Sequence, residues 1–248
     1  MITISIVSHG QSILVQQLLA DLARFNLSMI IEVVVTLNIP EDISFKPGDY
    51  PYPVRILRNT ASRGFGANHN AAFRQAEGEW FCVINPDIRL IDNPFLFLIK
   101  EGTYDSAGVI APMVVTPNGT IEDSVRRFPV LASLAAKLFG YGDGRYSFAV
   151  GDESFAADWV AGMFMLFRTE DFCAVGGFDE DFYLYYEDVD ICARLWKSGR
   201  SVLVCPKVSV IHDARRLSRR NLRHMKWHAA SLVLYFWKYW GRLPRTQK

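Results

Sequence analysis

The sequence predicts an α/β fold built on a mostly parallel sheet. Three observations lead there. Near-continuous apolar runs, too short for helices, read as strands buried on both faces. Helical periodicities alternate with them at the spacing of βαβ units. Polar clusters fall directly after several strands, where open α/β sheets bind their ligands. The chain has 248 residues and is 50% hydrophobic, enough for one large domain, or one domain with a tail.

The elements follow in order. "TISIVSH" (3–9) is β-rich and opens the fold as a strand, with none of the basic and long apolar regions of a signal peptide. Residues 12–25 are helix-like, and "IIEVVVTL" (30–37) is a buried strand. "YPVRIL" (52–57) is a third strand, "FGANHNAAFRQA" (65–76) a helix, and "EWFCVIN" (79–85) another buried strand. A helix over 93–102 and a strand over 107–115 come next. Residues 116–157, with Gly, Asp and Ser scattered through them, are expected to be an irregular excursion over the active face. "WVAGMFMLFR" (159–168) returns to the sheet as one strand. "YEDVDICARLW" has helical apolar spacing and acids at its start, so Glu187 or Asp188 is expected as N-cap. Asp190 is placed to pair with Arg194, and Gly199 to end the helix. "KVSVI" (207–211) is the last strand.

Charge is unevenly distributed. Net charge is +1, yet the segment from residue 214 onward holds ten Lys or Arg and no acid. The remainder holds 17 basic and 26 acidic residues, a net of −9. A basic, aromatic helical tail on an acidic body points to an anionic surface, membrane or nucleic acid. Its apolar core, "AASLVLYFW", is far short of the ~20 residues needed to span a bilayer. Interfacial aromatics beside basic residues suit a helix lying on an anionic leaflet, and a helix packed on the body is the other reading. Cys82, Cys173, Cys192 and Cys205 form no CxxC pair and lie in apolar stretches, as reduced core cysteines of a cytoplasmic protein do.

Three polar clusters collect at strand ends: "SHG" (8–10), "NPDIR" (85–89) and His212. A carboxylate such as Asp87 suits a hard divalent ion, and Mn²⁺ also accepts an imidazole, which His212 can supply. "RGFGANHN" (63–70) resembles a phosphate-cradling loop, with two glycines before a helix start; His69 stands where the dinucleotide fingerprint has its third Gly. A diphosphate, a divalent ion and a carboxylate base together suggest transfer of a sugar from a nucleotide-sugar.

"INPDIRL", "DWVAGMFMLFR" and "GGFDEDFYLYYEDVDICARLWKSG" resemble family 2 inverting glycosyltransferases of the GT-A fold. With "IVSHG" and "VRRFPVL", the likeness is greatest to bacterial rhamnosyltransferases of O-antigen and cell-wall linker synthesis. The resemblance spans roughly residues 2–212. It implies a GT-A domain over 1–213, with a nucleotide-sugar-binding half over about 1–90 and an acceptor half over 91–213, followed by a tail over 214–248. It implies Asp188 as catalytic base, with Glu187, Trp159 and Gly162 on the acceptor side. Ser8, His9, Arg63, Gly66, Asn70, Asn85 and Asp87 are implied on the donor side, and Asp87 and His212 as ligands of Mg²⁺ or Mn²⁺. It further implies transfer of L-rhamnose from dTDP-L-rhamnose to lipid-diphosphate-linked N-acetylglucosamine, on the cytoplasmic face of a bacterial inner membrane. A UDP-hexose donor is the alternative within the same fold. A nucleotidyltransferase or a nucleic-acid-binding module are alternatives outside it, the former disfavoured because "VSHGQS" has no Lys. Many relatives carry an Asp for the nucleobase after the second strand; here the strand reads "VVVTLN", leaving Thr36 and Asn38.

Overall fold

The computed structural model describes residues 1–25, 31–104, 106–133, 144–213 and 222–246. The fold is α/β. β1 (Ile2–Ser8) lies between β2 (Ile31–Leu37) and β4 (Trp80–Ile84), both parallel to it, and β3 (Val54–Arg58) extends the parallel half beyond β2. The chain thus adds strands on one side of β1 and then crosses to the other, so a crevice opens at the carboxyl ends of β1 and β4. Every residue of β2 and β4 is buried, as continuous β-branched and aromatic runs require when helices cover both faces.

Beyond β4 the sheet is mixed. β6 (Ala107–Val115) and β11 (Ser201–His212) are parallel to each other, while β10 (Phe164–Arg168) runs antiparallel between β4 and β6. β5 (Ile88–Arg89) and β8 (Phe155–Ala156) pair with β11, and β7 (Val125–Arg126) pairs with β9 (Trp159–Val160) in a separate ribbon. β11 shifts register between Cys205 and Ser209, opposite Pro112. Proline has no N–H for the ladder, and a bulge accommodates it.

The helices cover both faces. α1 (Ser12–Ala23) buries Val15, Leu18, Leu19 and Leu22 against Ile2, Ile4 and Ile6 of β1. α3 (Phe95–Tyr104) joins that layer through Phe95 and Leu98. The short α4 (Thr169–Ala174) and α5 (Glu187–Lys197) cover the opposite face, with Val189, Ile191 and Leu195 packed in the same cluster as Phe81 and Val83. α2 (Phe65–Phe73) lies over β1, where buried His69 meets Ser5 Oγ at 2.7 Å. Burial pushes the His69 imidazole down to about 3, so it is neutral.

The segment expected as one strand over 159–168 is two, β9 and β10, separated by a turn at 161–163. α6 (Leu222–Tyr239) is the helical part of the tail. It packs on the body: Tyr235 and Tyr239 are buried, and Tyr239 Oη donates to Asp190 Oδ1 at 2.7 Å. Lys238 Nζ reaches Asp190 at 2.5 Å and Asp179 at 2.6 Å. Asp190 also pairs with Arg194 at 2.6 Å, as the sequence spacing predicts. Tyr239→Phe is expected to cost about 1.5–3 kcal/mol, the worth of a buried hydrogen bond to a charged group; denaturant unfolding with an unchanged m-value checks it. Among the described residues, no helix is long and apolar enough to cross a membrane.

Candidate active site

A cleft of about 1030 Å³ opens beside the carboxyl end of β4. Asn85, Trp159, Gly162, Glu187 and Asp188, separated widely in sequence, all line it. The turn between β9 and β10 aims its backbone inward: Gly162 N–H donates to Asp188 Oδ2 at 3.1 Å. The Val189 N–H donates to Asp188 Oδ1 at 2.9 Å, so the carboxylate sits on the amino end of α5, where amide dipoles favour negative charge. Neither acid is the N-cap. Tyr186 takes that position, and Tyr185 and Tyr186 have φ of 72° and 68°. Two consecutive aromatics in the left-handed region are strained. The strain is offset by packing: Tyr186 stacks against buried Tyr235 with ring centroids 5.2 Å apart.

This placement sets the protonation chemistry. Burial raises Asp188 to about 6, against the lowering effect of its N–H bonds. Burial and the adjacent Asp188 charge push Glu187 well above the usual carboxylate range, and Glu187 Oε2 has no hydrogen-bond partner. A carboxylate with a pKa near 6, open to a cleft, is suited to general base catalysis near neutral pH.

A second acidic cluster forms by strand pairing. β5 zips onto the end of β11, with His212 opposite Ile88 and the Asp213 N–H bonded to Asp87 O at 2.9 Å. His212 Nε2 lies 3.3 Å from Asp87 Oδ2, and Nδ1 faces Glu122 Oε1 at 3.7 Å. Burial acts to lower the His212 pKa; the Asp87 bond and charge, aided by Glu122, outweigh it and raise the value. Asp87 Oδ1 and His212 Nδ1 are buried without hydrogen-bond partners. Among the described residues, no three His, Cys, Asp or Glu side chains surround a common metal position. Two protein ligands with open valences still fit a hard divalent ion that completes its shell with water and substrate phosphate oxygens.

Residues 151–220 match the family model described as the N-terminal domain of galactosyltransferase. Over 246 residues the chain is 28% identical to the rhamnosyltransferase WbbL of Escherichia coli K12, covering 95% of this chain and 92% of that protein. It is 29% identical over 206 residues to the N-acetylglucosaminyl-diphospho-decaprenol L-rhamnosyltransferase of Mycobacterium tuberculosis, covering 74% and 67% of the two chains. Among solved structures, it resembles a mannosyltransferase from Pyrobaculum calidifontis in complex with GDP-Man and Mn²⁺, with TM-score 0.65, 18% identity, and coverage of 96% of this chain and 63% of that one. GalNAc-T7 with UDP, GalNAc and Mn²⁺ gives TM-score 0.63 at 16% identity, covering 86% and 44%. The chain spans less than two thirds of either structure. The chain is a rhamnosyltransferase-like glycosyltransferase of the GT-A fold.

In this glycosyltransferase several residues expected on the donor side make internal hydrogen bonds. Ser8 is fully buried, and its Oγ accepts the Gln11 N–H at 3.0 Å. Asn70 is saturated by the 178–180 loop: its Nδ2 donates to Phe178 O and Glu180, and its Oδ1 accepts the Phe178 N–H. In the glycine loop the amide at the helix start is already bonded. The Phe65 N–H is bonded to Tyr183 O at 2.9 Å, and a Cβ on Gly64 would lie 2.6 Å from that oxygen. Gly66 serves packing too, since a Cβ there would lie 2.6 Å from Phe178 Cβ. Gly66→Ala is expected to cost about 1–3 kcal/mol through overpacking, read as a lower unfolding midpoint.

The remaining donor-side residues sit around one hub. Asn38 Oδ1 accepts the Arg63 N–H, and Asn38 Nδ2 donates to Arg63 O at 2.9 Å and lies 3.4 Å from His9 Nδ1. Arg63 also reaches Glu180 at 3.4 Å. Asn38 therefore holds the 59–63 loop and has little capacity left for a nucleobase. Thr36 is fully buried, with its Oγ1 unpartnered.

The enzyme's cleft also contains residues that motif reading passed over: Arg126, Arg127, Asp158, His228, Leu243 and Pro244. The arginines were visible as a pair in "VRRFPVL", within a segment whose lack of periodicity hid its position. The last three belong to the tail, so the tail forms part of the cleft wall. Asp158 is tied by Tyr146 Oη at 2.8 Å, and its Oδ2 accepts the Phe128 N–H at 2.8 Å.

Proposed function

We propose that the enzyme is an inverting rhamnosyltransferase that moves L-rhamnose from dTDP-L-rhamnose to N-acetylglucosamine on a lipid diphosphate. The observation that carries this reading is the Asp188 carboxylate, held by two backbone N–H groups in the cleft with its pKa raised to about 6. Asp188 takes the proton of an acceptor hydroxyl as that oxygen attacks the anomeric carbon. The new C–O bond forms as the bond to the nucleoside diphosphate breaks on the opposite face, and the electron pair leaves with the diphosphate. Inversion follows. Glu187, buried beside Asp188, and Trp159, whose Nε1–H donates to Arg127 O at 3.0 Å, shape the acceptor side. Gly162 orients the base through its N–H, and Asn85 lines the same cleft.

Asp87 and His212 would hold a Mg²⁺ or Mn²⁺ ion, with the open Asp87 Oδ1 as the fitting donor. When bound, it supplies positive charge against the diphosphate. Residues 1–90 form the donor half in this reading and 91–213 the acceptor half. Peripheral attachment to the cytoplasmic face of an inner membrane agrees with α6, whose outer stripe exposes Leu222, Met225, Val233 and Trp237, the last at 79%. Trp227, by contrast, packs on Tyr183 at 4.7 Å. Arg215, Arg216, Arg219 and Arg220 lie outside the described residues.

Incubating the purified full chain with a lipid-diphosphate N-acetylglucosamine analogue and separate nucleotide-sugars tests the reading. Transfer is expected from dTDP-L-rhamnose. Efficient use of UDP-hexoses with dTDP-L-rhamnose ignored would select the alternative donor, and no transfer from any nucleotide-sugar would sink the reading.

A further inference from the structure

A second, smaller cavity of about 170 Å³ adjoins the cleft. Pro129, Val130 and Leu243 line both, so these residues form the wall that the two share. Buried Tyr235 and Tyr239 form its inner wall, and its outer wall is apolar and exposed, with Leu131 48% exposed and Trp240 68%. It is an apolar channel beside the catalytic cleft that reaches the outer surface between the 129–131 segment and the end of α6.

The cleft wall two residues before Pro129 carries positive charge. Arg126 is committed to Asp123, within hydrogen-bonding contact. Arg127, its neighbour in the cleft wall, is exposed and has no acidic partner among the described residues; its guanidinium lies 5.5 Å from the Tyr146 ring centroid. An arginine without an acidic partner in the wall of an acidic catalytic cleft is suited to an anion, and a guanidinium fork matches phosphate oxygens. Base, cation and apolar channel together match the sugar, diphosphate and hydrocarbon of one amphiphile.

We propose that this channel takes the first hydrocarbon segment of the lipid-diphosphate acceptor, with Arg127 neutralising its diphosphate. The proposal rests on the lipid-linked acceptor assigned above. It adds that the protein itself grips the lipid next to the headgroup, so chain length enters substrate recognition through this channel.

Two measurements on the full chain test it. The first compares kcat/KM for two diphosphate esters of N-acetylglucosamine, one methyl and one long-chain alkyl. Wild type is expected to prefer the long-chain ester by at least about tenfold, since each buried methylene favours binding. Leu131→Glu and Trp240→Glu, both at exposed positions, are expected to reduce that ratio about tenfold. Arg127→Gln is expected to lower kcat/KM for both esters while leaving their ratio unchanged. The second measurement needs no transfer: calorimetry with alkyl diphosphate lacking a sugar, below its micellar concentration. Binding weakened about tenfold by Leu131→Glu supports the channel even if the donor or sugar assignment fails. A wild-type enzyme indifferent to chain length in both assays overturns the proposal. So does displacement of the alkyl diphosphate by phosphatidylglycerol vesicles, which would make the channel a membrane contact.

Discussion

Asp188→Asn is expected to reduce transfer by roughly 10²–10⁴-fold, the usual worth of a general base, with nucleotide binding retained. Asn keeps the shape but has no lone pair basic enough to take the hydroxyl proton. The wild-type pH profile carries the same information. Asp188 works deprotonated, so kcat/KM should fall as pH drops through about 6. Stability should move the other way. The native state holds the Asp188 proton more tightly than the unfolded chain does, because burial raises its pKa from 3.8 to about 6. The stabilising contribution of the protonated form is fully present below 3.8 and is lost as pH rises through 6. Removing the ionisable group should therefore raise the unfolding temperature above pH 6. The gain is on the order of 1 kcal/mol, since one of the two backbone N–H donors then faces an amide that serves it less well. An Asn variant that keeps more than about a tenth of wild-type turnover would remove Asp188 from the role of base.

Asp87→Ala and His212→Ala form the second large effect. Even residues that only support metal ligands typically contribute 10–100-fold to metal affinity, so losing a ligand should weaken Mn²⁺-dependent nucleoside diphosphate binding by about 100-fold or more. Each variant should also abolish the advantage of Mn²⁺ over metal-free buffer in calorimetry. The two substitutions should be non-additive, because both remove one site. If the metal strengthens binding equally in wild type and both variants, these residues do not share an ion. Asn at 87 is a useful control: it keeps the side-chain shape at the 85–88 turn and removes only the charge.

Much of the fold was legible because the signals are local. Apolar runs such as "IEVVVTL" and "WFCVI" state strand identity without reference to anything else, and α5 announces itself by acids at its start and Arg194 and Lys197 at its end. Less local features were harder. β5 is two residues long and exists only because β11 pairs with it, and the break between β9 and β10 depends on where the Gly162 N–H must point.

The same division runs through the site. Sequence by itself supplied the candidates, with roles that a family resemblance implies: Asp188 and Glu187 at a helix start, Asp87 and His212 at strand ends, Asn85 before the turn. Tertiary structure decided what each has left to offer. Ser8 and Asn70 have suitable side chains in a suitable region, yet Ser8 is fully buried and the 178–180 loop occupies both ends of the Asn70 amide. Gly64 and Gly66 look like a phosphate loop but are small because Tyr183 and Phe178 press against them. Of the adjacent arginines, Arg126 pairs with Asp123 while Arg127 has no acidic partner among the described residues. The tail reads in sequence as an appendage, and in the fold Tyr239 and Lys238 anchor it on Asp190 while His228 and Leu243 wall the cleft. The physical reason is common to all of these. Residue type sets what a group can donate, accept or ionise, whereas burial and the partners already present set whether that capacity remains free for a substrate.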